Sequence, residues 1–199
     1  MSEHMFNENM NNDLITQSDK CLIPYKNINK LVVKKYHIVD SNNKIIKHKI
    51  CNVFAPFGRE ADYNKFESSQ QRFNICFTLN DVNDGKNKSY EEFINTINHY
   101  EQYFKEYDEL KEFELISNII NRGTYGNVIR CHLKTIKDKT TSKLIQIRGN
   151  NKISDVEWIE FDKNLHFNME YCFDCLWIDE KNKKFGISIQ VLSVFQVIP

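Results

Sequence analysis

The apolar residues of this chain change their spacing twice, and this change constrains the fold more than any other feature of the sequence. From about residue 31 they alternate with polar residues, as in half-buried β-strands. Between Ser89 and Asn121 they recur every three or four residues, as on one face of an α-helix. After Gly126 the alternation returns. The pattern predicts a mainly β (α+β) fold, a small barrel of five or more strands with a long helical insert after the third strand. This insert is either one long helix or two helices broken near Tyr107-Asp108.

Turn and capping residues mark the ends of the predicted elements. Ser41-Asn42-Asn43 would join the first two strands as a hairpin. Ser89 followed by Glu92 matches a capping box. Gly123 is a plausible stop for the helix, and it would form, with Gly126, a tight turn into the next strand. The predicted strands are 31–39, 45–54, 72–79, 127–136, 142–148, 153–161, 166–178 and 184–197, and the predicted helical insert is 89–121.

The polar N-terminal segment and the remainder of the chain differ in pattern. Residues 1–29 show little periodicity, so we expect a flexible lead-in followed by one domain over residues 30–199. No apolar run approaches the roughly 18 residues of a membrane span, and the N-terminus lacks the apolar segment of a secretory signal. Six cysteines in 199 residues are too sparse for a disulfide scaffold. We therefore expect a protein of a reducing, intracellular compartment.

The formal net charge of zero hides a segregation of charge along the chain. Segment 122–152 carries eight basic side chains and one acidic, and segment 31–78 carries eight and four. Segment 79–121, which holds the predicted helix, carries four basic side chains and ten acidic. Basic clusters of this kind neutralise the phosphates of a polyanion, although a solvated lysine-rich hairpin would explain segment 122–152 taken alone. The two basic segments form the predicted binding surface, and the helix covers another side.

Aromatic residues lie among the basic strands. Single-stranded nucleic acid requires both groups, because cations neutralise phosphates and rings stack on unpaired bases. Phe73 and Phe77 alternate on an apolar face and are expected in the core, whereas Tyr36, Phe57 and Tyr125 stand at strand ends or among polar residues. The candidate nucleic-acid-binding residues are Lys34, Lys35, Tyr36, Phe57, Arg59, Arg72, Tyr125, Arg130, Lys134, Lys143 and Arg148.

Cys172 and Cys175 have the spacing of a metal-binding or redox pair. Their flanks are typical of a strand, where residues three apart point to opposite faces, and the other cysteines form no second pair. We therefore expect two structural thiols, with a zinc site as the weaker alternative. The turn Gly123–Gly126 resembles the tip of a kinase glycine-rich loop, but the downstream kinase motifs are missing. Without a nucleophile elbow, a P-loop or an HExxH motif, we expect a protein that is not an enzyme and needs no metal or cofactor.

Several short motifs resemble a known family. Leu176-Trp177-Ile178 leads through a lysine-rich turn to 184–191 and a final Gln-Val strand. Upstream, 52–58 ends in Pro-Phe-Gly, and 72–79 precedes the helical segment. These motifs resemble the single-stranded DNA-binding proteins of large nucleocytoplasmic DNA viruses, which are distantly similar to those of short-tailed phages. The resemblance covers about residues 30–199 and implies an OB-fold barrel with a long helix between strands. The acidic tail that related proteins use to contact replication partners has no counterpart here, so that contact is not carried over.

The resemblance implies a non-sequence-specific single-stranded DNA-binding protein in viral DNA replication, recombination or repair. Expected partners are single-stranded DNA, replication proteins and other copies of the chain, with no membrane. The expected location is the host cytoplasm or a viral factory, with packaging in the virion as a further option. The alternative is a non-catalytic β-barrel structural or protein-interaction factor, such as a virion or assembly component. DNA binding requires both basic segments to line one surface, whereas the alternative expects them to be dispersed.

Overall fold

The mainly β fold class is confirmed by the structure, a computed structural model. It describes residues 21–24, 33–62, 72–78, 88–136, 139–153, 156–158, 161, 163 and 165–199. Within these ranges the chain forms the strands β1 (Cys21–Pro24), β2 (Val33–Val39), β3 (Lys47–Phe54), β4 (Arg59–Asp62), β5 (Arg72–Thr78), β6 (Glu114–Ile116), β7 (Ile119–Asn121), β8 (Asn127–Leu133), β9 (Thr135–Ile136), β10 (Lys139–Thr140), β11 (Lys143–Arg148), β12 (Asn151–Ile153), β13 (His166–Asp179) and β14 (Lys184–Ile198), with the helix α1 (Lys88–Lys105) between β5 and β6. None of the helices described here is both long and apolar enough to span a membrane.

Most of the strands join one mixed sheet around the long hairpin of β13 and β14. β14 pairs with β13 on one edge, and on its other edge it pairs in parallel with β6, β8 and β11 in turn. The outer edge of β13 pairs with β3 along its first half and with β2 along its second. The main path runs from β1 through β2, β13, β14, β8 and β5 to β4. In the described part of the chain the predicted barrel is found as an open mixed sheet.

Helix α1 packs on one side of this sheet, here called the core face. Its apolar residues follow the helical period and are buried against rings of the sheet. Tyr100 stacks on Phe173 with ring centroids 4.1 Å apart, and Phe93 meets Tyr171 edge to face at 4.6 Å. The buried carboxylate of Glu101 accepts hydrogen bonds from the Ser117 hydroxyl and the Asn118 backbone N–H. These contacts fix the helix to both the sheet and the loop that follows it.

The prediction of helix as far as residue 121 is wrong beyond Lys105. Tyr107 is extended, with φ −67° and ψ 131°, and a short 3-10 turn follows at Asp108–Leu110. Strands β6 and β7 then occupy the rest of the predicted helix. The apolar spacing continues through this stretch because its residues pack on the core, but the main chain pairs with β14 and β8. Among the described residues the helix also follows five strands and not three, since β1 and β4 were not predicted.

Two further segments differ from the predicted pattern. The predicted strand 153–161 stops at Ile153, and residues 154, 155, 159 and 160 lie outside the described residues. Trp158 and Phe161 are buried with ring centroids 5.8 Å apart, so these alternating apolar residues fill the core from outside any strand. Within the predicted flexible lead-in, β1 pairs with β2. The remainder of residues 1–29 lies outside the described ranges, and its flexibility stays a prediction.

Candidate nucleic-acid interface

The register of the strands directs a second set of side chains away from α1. Ile75 of β5 pairs with Cys131 of β8, and both lie in the core. Successive residues of a strand point to opposite faces, and paired residues share a face. Cys76 and its partner Arg130 therefore lie on the opposite side of the sheet from α1. We call this side the basic face and define it by Lys35, Lys47, Lys49, Arg130, Lys134 and Lys143.

A row of paired residues crosses the basic face from β8 to β3. His132 pairs with Gln190 of β14, and Gln190 pairs with Cys172 of β13. Cys172 in turn pairs with Lys47 of β3. Gln190 and Cys172 at the centre of this row are buried, whereas Lys47 at its end is exposed. The row brings β3, from the first basic segment, and β8, from the second, onto one surface.

A second row runs parallel to the first. Lys143 of β11 pairs with Ser193 of β14, Ser193 pairs with Glu170 of β13, and Glu170 pairs with Lys49 of β3. The Lys49 ammonium lies 3.5 Å from one carboxylate oxygen of Glu170, and the Ser193 hydroxyl donates to the other at 2.9 Å. Both lysines are exposed. This row therefore presents a cation at each end and one carboxylate between them.

Lys134 and Lys143 stand at the two ends of the β9–β10 hairpin, and Ser142 fixes both. The Lys134 backbone N–H donates to the Ser142 hydroxyl at 2.9 Å, and this hydroxyl donates to the Val191 carbonyl of β14 at 2.6 Å. The Trp158 indole N–H donates to the Ser142 carbonyl at 2.7 Å. Both Lys134 and Lys47 act electrostatically to lower the pKa of Cys172, so both ammonium groups lie near this thiol.

Lys35 lies on the basic face beside a partly exposed tryptophan. It pairs in register with Trp177 of β13, which pairs on its other side with Gly186 of β14. A Cβ atom at position 186 would lie 2.6 Å from Cζ2 of Trp177, so the indole occupies the space that a side chain there would need. The next pair of β2 and β13 on this face is His37 with Cys175. The Lys35 ammonium acts on Cys175 to lower its pKa, against the larger effect of burial.

Four of the predicted binding residues lie outside the basic face. Lys34 is exposed at the end of β2, where its ammonium pairs with Glu180 at 2.6 Å. Tyr36 packs against the core cluster. The ring of Phe57 is half-buried, with the Arg122 guanidinium 4.8 Å from its centroid. Arg148 pairs in register with Ile198, on the side of β11 that carries the buried Gln146, and donates to that amide at 3.3 Å.

The backbone alone is described for three further candidates. Arg59 of β4 pairs with Ile75, and Arg72 of β5 pairs with Asp62. Tyr125 belongs to the 3-10 turn Gly123–Tyr125 between β7 and β8. Gly123 and Gly126 both have φ near +60° in this turn, a conformation that favours glycine. The binding roles of these three side chains stay predictions.

Sequence reasoning missed three members of this surface: Lys47, Lys49 and Trp177. The alternation Lys47-His48-Lys49-Ile50 within a strand was the available signal for the two lysines, because it puts both on one face. Trp177 belonged to a motif that carried the family resemblance, but its face depends on a β-bulge that the sequence does not reveal.

This bulge also corrects the prediction that Cys172 and Cys175 point to opposite faces. The register with β14 shifts between Phe173 and Cys175, so Cys172 pairs with Gln190 and Cys175 with Ser188, two residues apart on one face. Burial raises the pKa of Cys172 to about 12 and that of Cys175 to about 11, with the Asp174 carboxylate adding to both shifts. Among the described residues, no three His, Cys, Asp or Glu side chains are grouped to hold a metal ion.

Comparison with known proteins shows the fold. No family model matches the chain, and no curated protein matches it. The chain is similar to the crystal structure of gp2.5, a single-stranded DNA binding protein encoded by bacteriophage T7, with a TM-score of 0.50 at 12% sequence identity. The match covers 77% of this chain and 86% of the gp2.5 chain. The open mixed sheet with one helix is therefore a distant version of the gp2.5 fold, consistent with the OB-like architecture expected from the sequence.

Proposed function

We propose that the chain binds single-stranded DNA through the basic face, without sequence specificity and without catalysis. The observation that carries this proposal is the convergence of two basic segments that are distant in sequence. β2 and β3 come from the segment 31–78, and β8 and β11 come from the segment 122–152. Their basic side chains share one face of the sheet, and exposed cations on one surface are what a phosphate backbone requires.

The form of this surface favours single strands over duplex DNA. Proteins that read duplex DNA place a helix or a two-stranded ribbon in a groove. Here α1 lies on the core face. The acidic Glu91 is exposed on this helix, and the acidic Glu106 is exposed directly after its last residue. The basic face is a sheet surface with flexible lysines and a partly exposed indole. Lysine contacts to phosphates carry no sequence information, so binding should depend little on base sequence.

We further propose a role in DNA replication, recombination or repair of a large DNA virus. The support is the family resemblance of the motifs at 52–58, 72–79 and 176–197, together with a fold similar to that of gp2.5. Such a protein works in a reducing, intracellular compartment. Replication proteins and further copies of the chain are the candidate protein partners. The membership of a particular viral family rests on the short motifs alone.

The test is fluorescence anisotropy with labelled oligo-dT, duplex DNA and RNA, each titrated at low and at physiological salt. We expect tight, salt-sensitive binding to oligo-dT and weaker binding to the duplex. The double reversal K47E/K134E should abolish most of this binding, because it replaces two exposed cations of the basic face.

The matched control is K105E/K111E, which reverses the same number of exposed charges at the end of α1 and in the turn after it. This variant should bind oligo-dT like the unaltered protein. If the unaltered protein bound no oligonucleotide at low salt, the proposal would be wrong, and the alternative of a protein-interaction module would take its place. If both variants lost the same amount of oligo-dT affinity, the DNA would bind outside the basic face.

A further inference from the structure

Trp177 differs from the other large rings of the sheet by its position. The rings of Phe173, Tyr171 and Phe185 are buried on the core face, whereas Trp177 is partly exposed on the basic face. The other tryptophan, Trp158, is buried and bonded to a backbone carbonyl. A partly exposed large ring on the face opposite the core therefore needs an explanation other than core packing.

The absence of a side chain at Gly186 lets the Trp177 ring lie directly against the main chain of β14. The positions of Cζ2 and Cε2 of Trp177 lie 2.6 and 2.8 Å from where a Cβ of residue 186 would stand. The carbonyl oxygen of Ile116 lies 2.9 Å from the same point. No side chain fits at position 186, so the indole rests on the backbone of β14. A ring supported in this way loses little side-chain freedom when a ligand contacts it.

A cation stands beside the ring. Lys35 is the register partner of Trp177 on β2, and directly paired residues of antiparallel strands have Cα atoms about 4.5–5.5 Å apart. Lys35 is close enough to Cys175, the next residue on this face, to act on its thiol. Lys47 stands beyond Cys172 on the same face. Lys35, one of the side chains that the proposed function assigns to phosphates, is thus the direct neighbour of Trp177 across the β2–β13 pair.

We propose that Trp177 is the platform on which an unpaired nucleobase of the bound strand stacks, with Lys35 holding an adjacent phosphate. This inference rests on the proposed function and adds to it the position of one base. Every base has a π-face, so such a platform adds affinity without reading sequence. The competing explanation is that Trp177 only covers the glycine of the neighbouring strand, as aromatic residues do in other sheets.

The intrinsic fluorescence of a W158F variant isolates Trp177, because the chain contains two tryptophans. Oligo-dT should quench this fluorescence, and an abasic oligonucleotide with the same number of phosphates should leave it nearly unchanged. In a separate anisotropy titration, W177L should weaken oligo-dT binding by about 5- to 150-fold, the range that corresponds to loss of one stacked base. The control Y103L, which removes a partly buried ring of α1, should bind normally.

The outcomes separate this inference from the proposed function. Oligo-dT binding by anisotropy without quenching of Trp177 would leave the proposed function intact and overturn the platform. Equal quenching by the abasic strand would likewise overturn it, since phosphates alone would then account for the signal. If W177L failed to fold, the quenching comparison would still decide, because the W158F variant keeps Trp177. Absence of any oligo-dT binding would overturn the proposed function itself.

Discussion

Glu170 places a carboxylate in the middle of the basic face. One of its oxygens lies 3.5 Å from the Lys49 ammonium, and the other accepts the Ser193 hydroxyl at 2.9 Å. A phosphate that approached Lys49 would have to compete with this carboxylate and would be repelled by it. We therefore infer that Glu170 lowers the affinity for DNA while it keeps Lys49 in place.

Replacement of Glu170 by Gln should strengthen binding to oligo-dT by about two- to fivefold at low salt, from the roughly 0.5–1 kcal/mol of an exposed charge pair. The amide can still accept a hydrogen bond from Ser193 but no longer neutralises Lys49. Anisotropy titrations measure the change. The control is D108N, because Asp108 is an exposed carboxylate with its own lysine partner, Lys111, outside the basic face. Weaker binding by E170Q would contradict this interpretation of Glu170.

The two buried thiols of β13 make the free energy of unfolding depend on pH in the alkaline range. Burial raises the pKa of Cys172 from its ordinary value of 9.0 to about 12 and that of Cys175 from 9.0 to about 11. The folded state thus holds these protons more tightly than the unfolded state. Their contribution to stability is fully present below pH 9 and is lost as the pH rises towards 11–12.

Two measurements test whether Cys172 and Cys175 stay protonated in the folded state. The free energy of unfolding in urea should fall between pH 9 and pH 11 in the unaltered protein and fall less steeply in a C172A/C175A variant. Native-state alkylation read by mass spectrometry should modify the half-buried Cys51 before either residue of the pair, because thiolates react and buried thiols stay protonated. Rapid alkylation of Cys172 or Cys175 at neutral pH would mean that this part of the sheet opens.

At the scale of elements, alternation and turn residues locate most strands but not their partners. The predicted strands 31–39, 72–79 and 166–178 lie within two residues of β2, β5 and β13 at each end. The predicted helix fails after Lys105 because a helical spacing of apolar residues also serves two short strands that lie on the core. The choice between the two was made by pairing with β14 and β8, which come later in the chain. Such pairing is not encoded in the local sequence.

Ser142, directly before β11, forms hydrogen bonds to Lys134 after β8 and to Val191 of β14, and its replacement tests what they contribute. Substitution of Ser142 by Ala leaves the Lys134 backbone N–H and the Val191 carbonyl without their hydroxyl partner. We expect a loss of about 1–3 kcal/mol in the free energy of unfolding in urea, the usual cost of an unsatisfied group of this kind. T141A is the matched control, because the exposed Thr141 hydroxyl donates to the Lys134 carbonyl at 3.2 Å. Equal stability of the two variants would show that the link contributes little.

At the scale of the whole molecule, the net charge is zero but the charges are unevenly distributed between the two sides of the sheet. The exposed Lys47, Lys49, Lys134 and Lys143 lie on one side of the sheet, and α1 lies on the other. Charge counts by segment predict this separation, because each element carries its own sign. They do not predict which lysines share a face, since this depends on the bulge before Cys175 and on the register of β3 against β13. The alternation of Lys47 and Lys49 puts them on one face of β3, but only the register of β3 against β13 shows that this is the basic face.

This two-sided distribution predicts how DNA binding depends on salt. Each phosphate neutralised on a single strand contributes about −0.7 to the slope of log K against log salt concentration. If Lys35 and the exposed Lys47, Lys49, Lys134 and Lys143 each contact one phosphate, the slope should be about −3.5 between about 50 and 200 mM salt. K47E/K134E should make the slope shallower by at least about 1.4, whereas K105E/K111E should leave it unchanged. A slope near zero, or one that both variants alter equally, would mean that the basic face is not where phosphates bind.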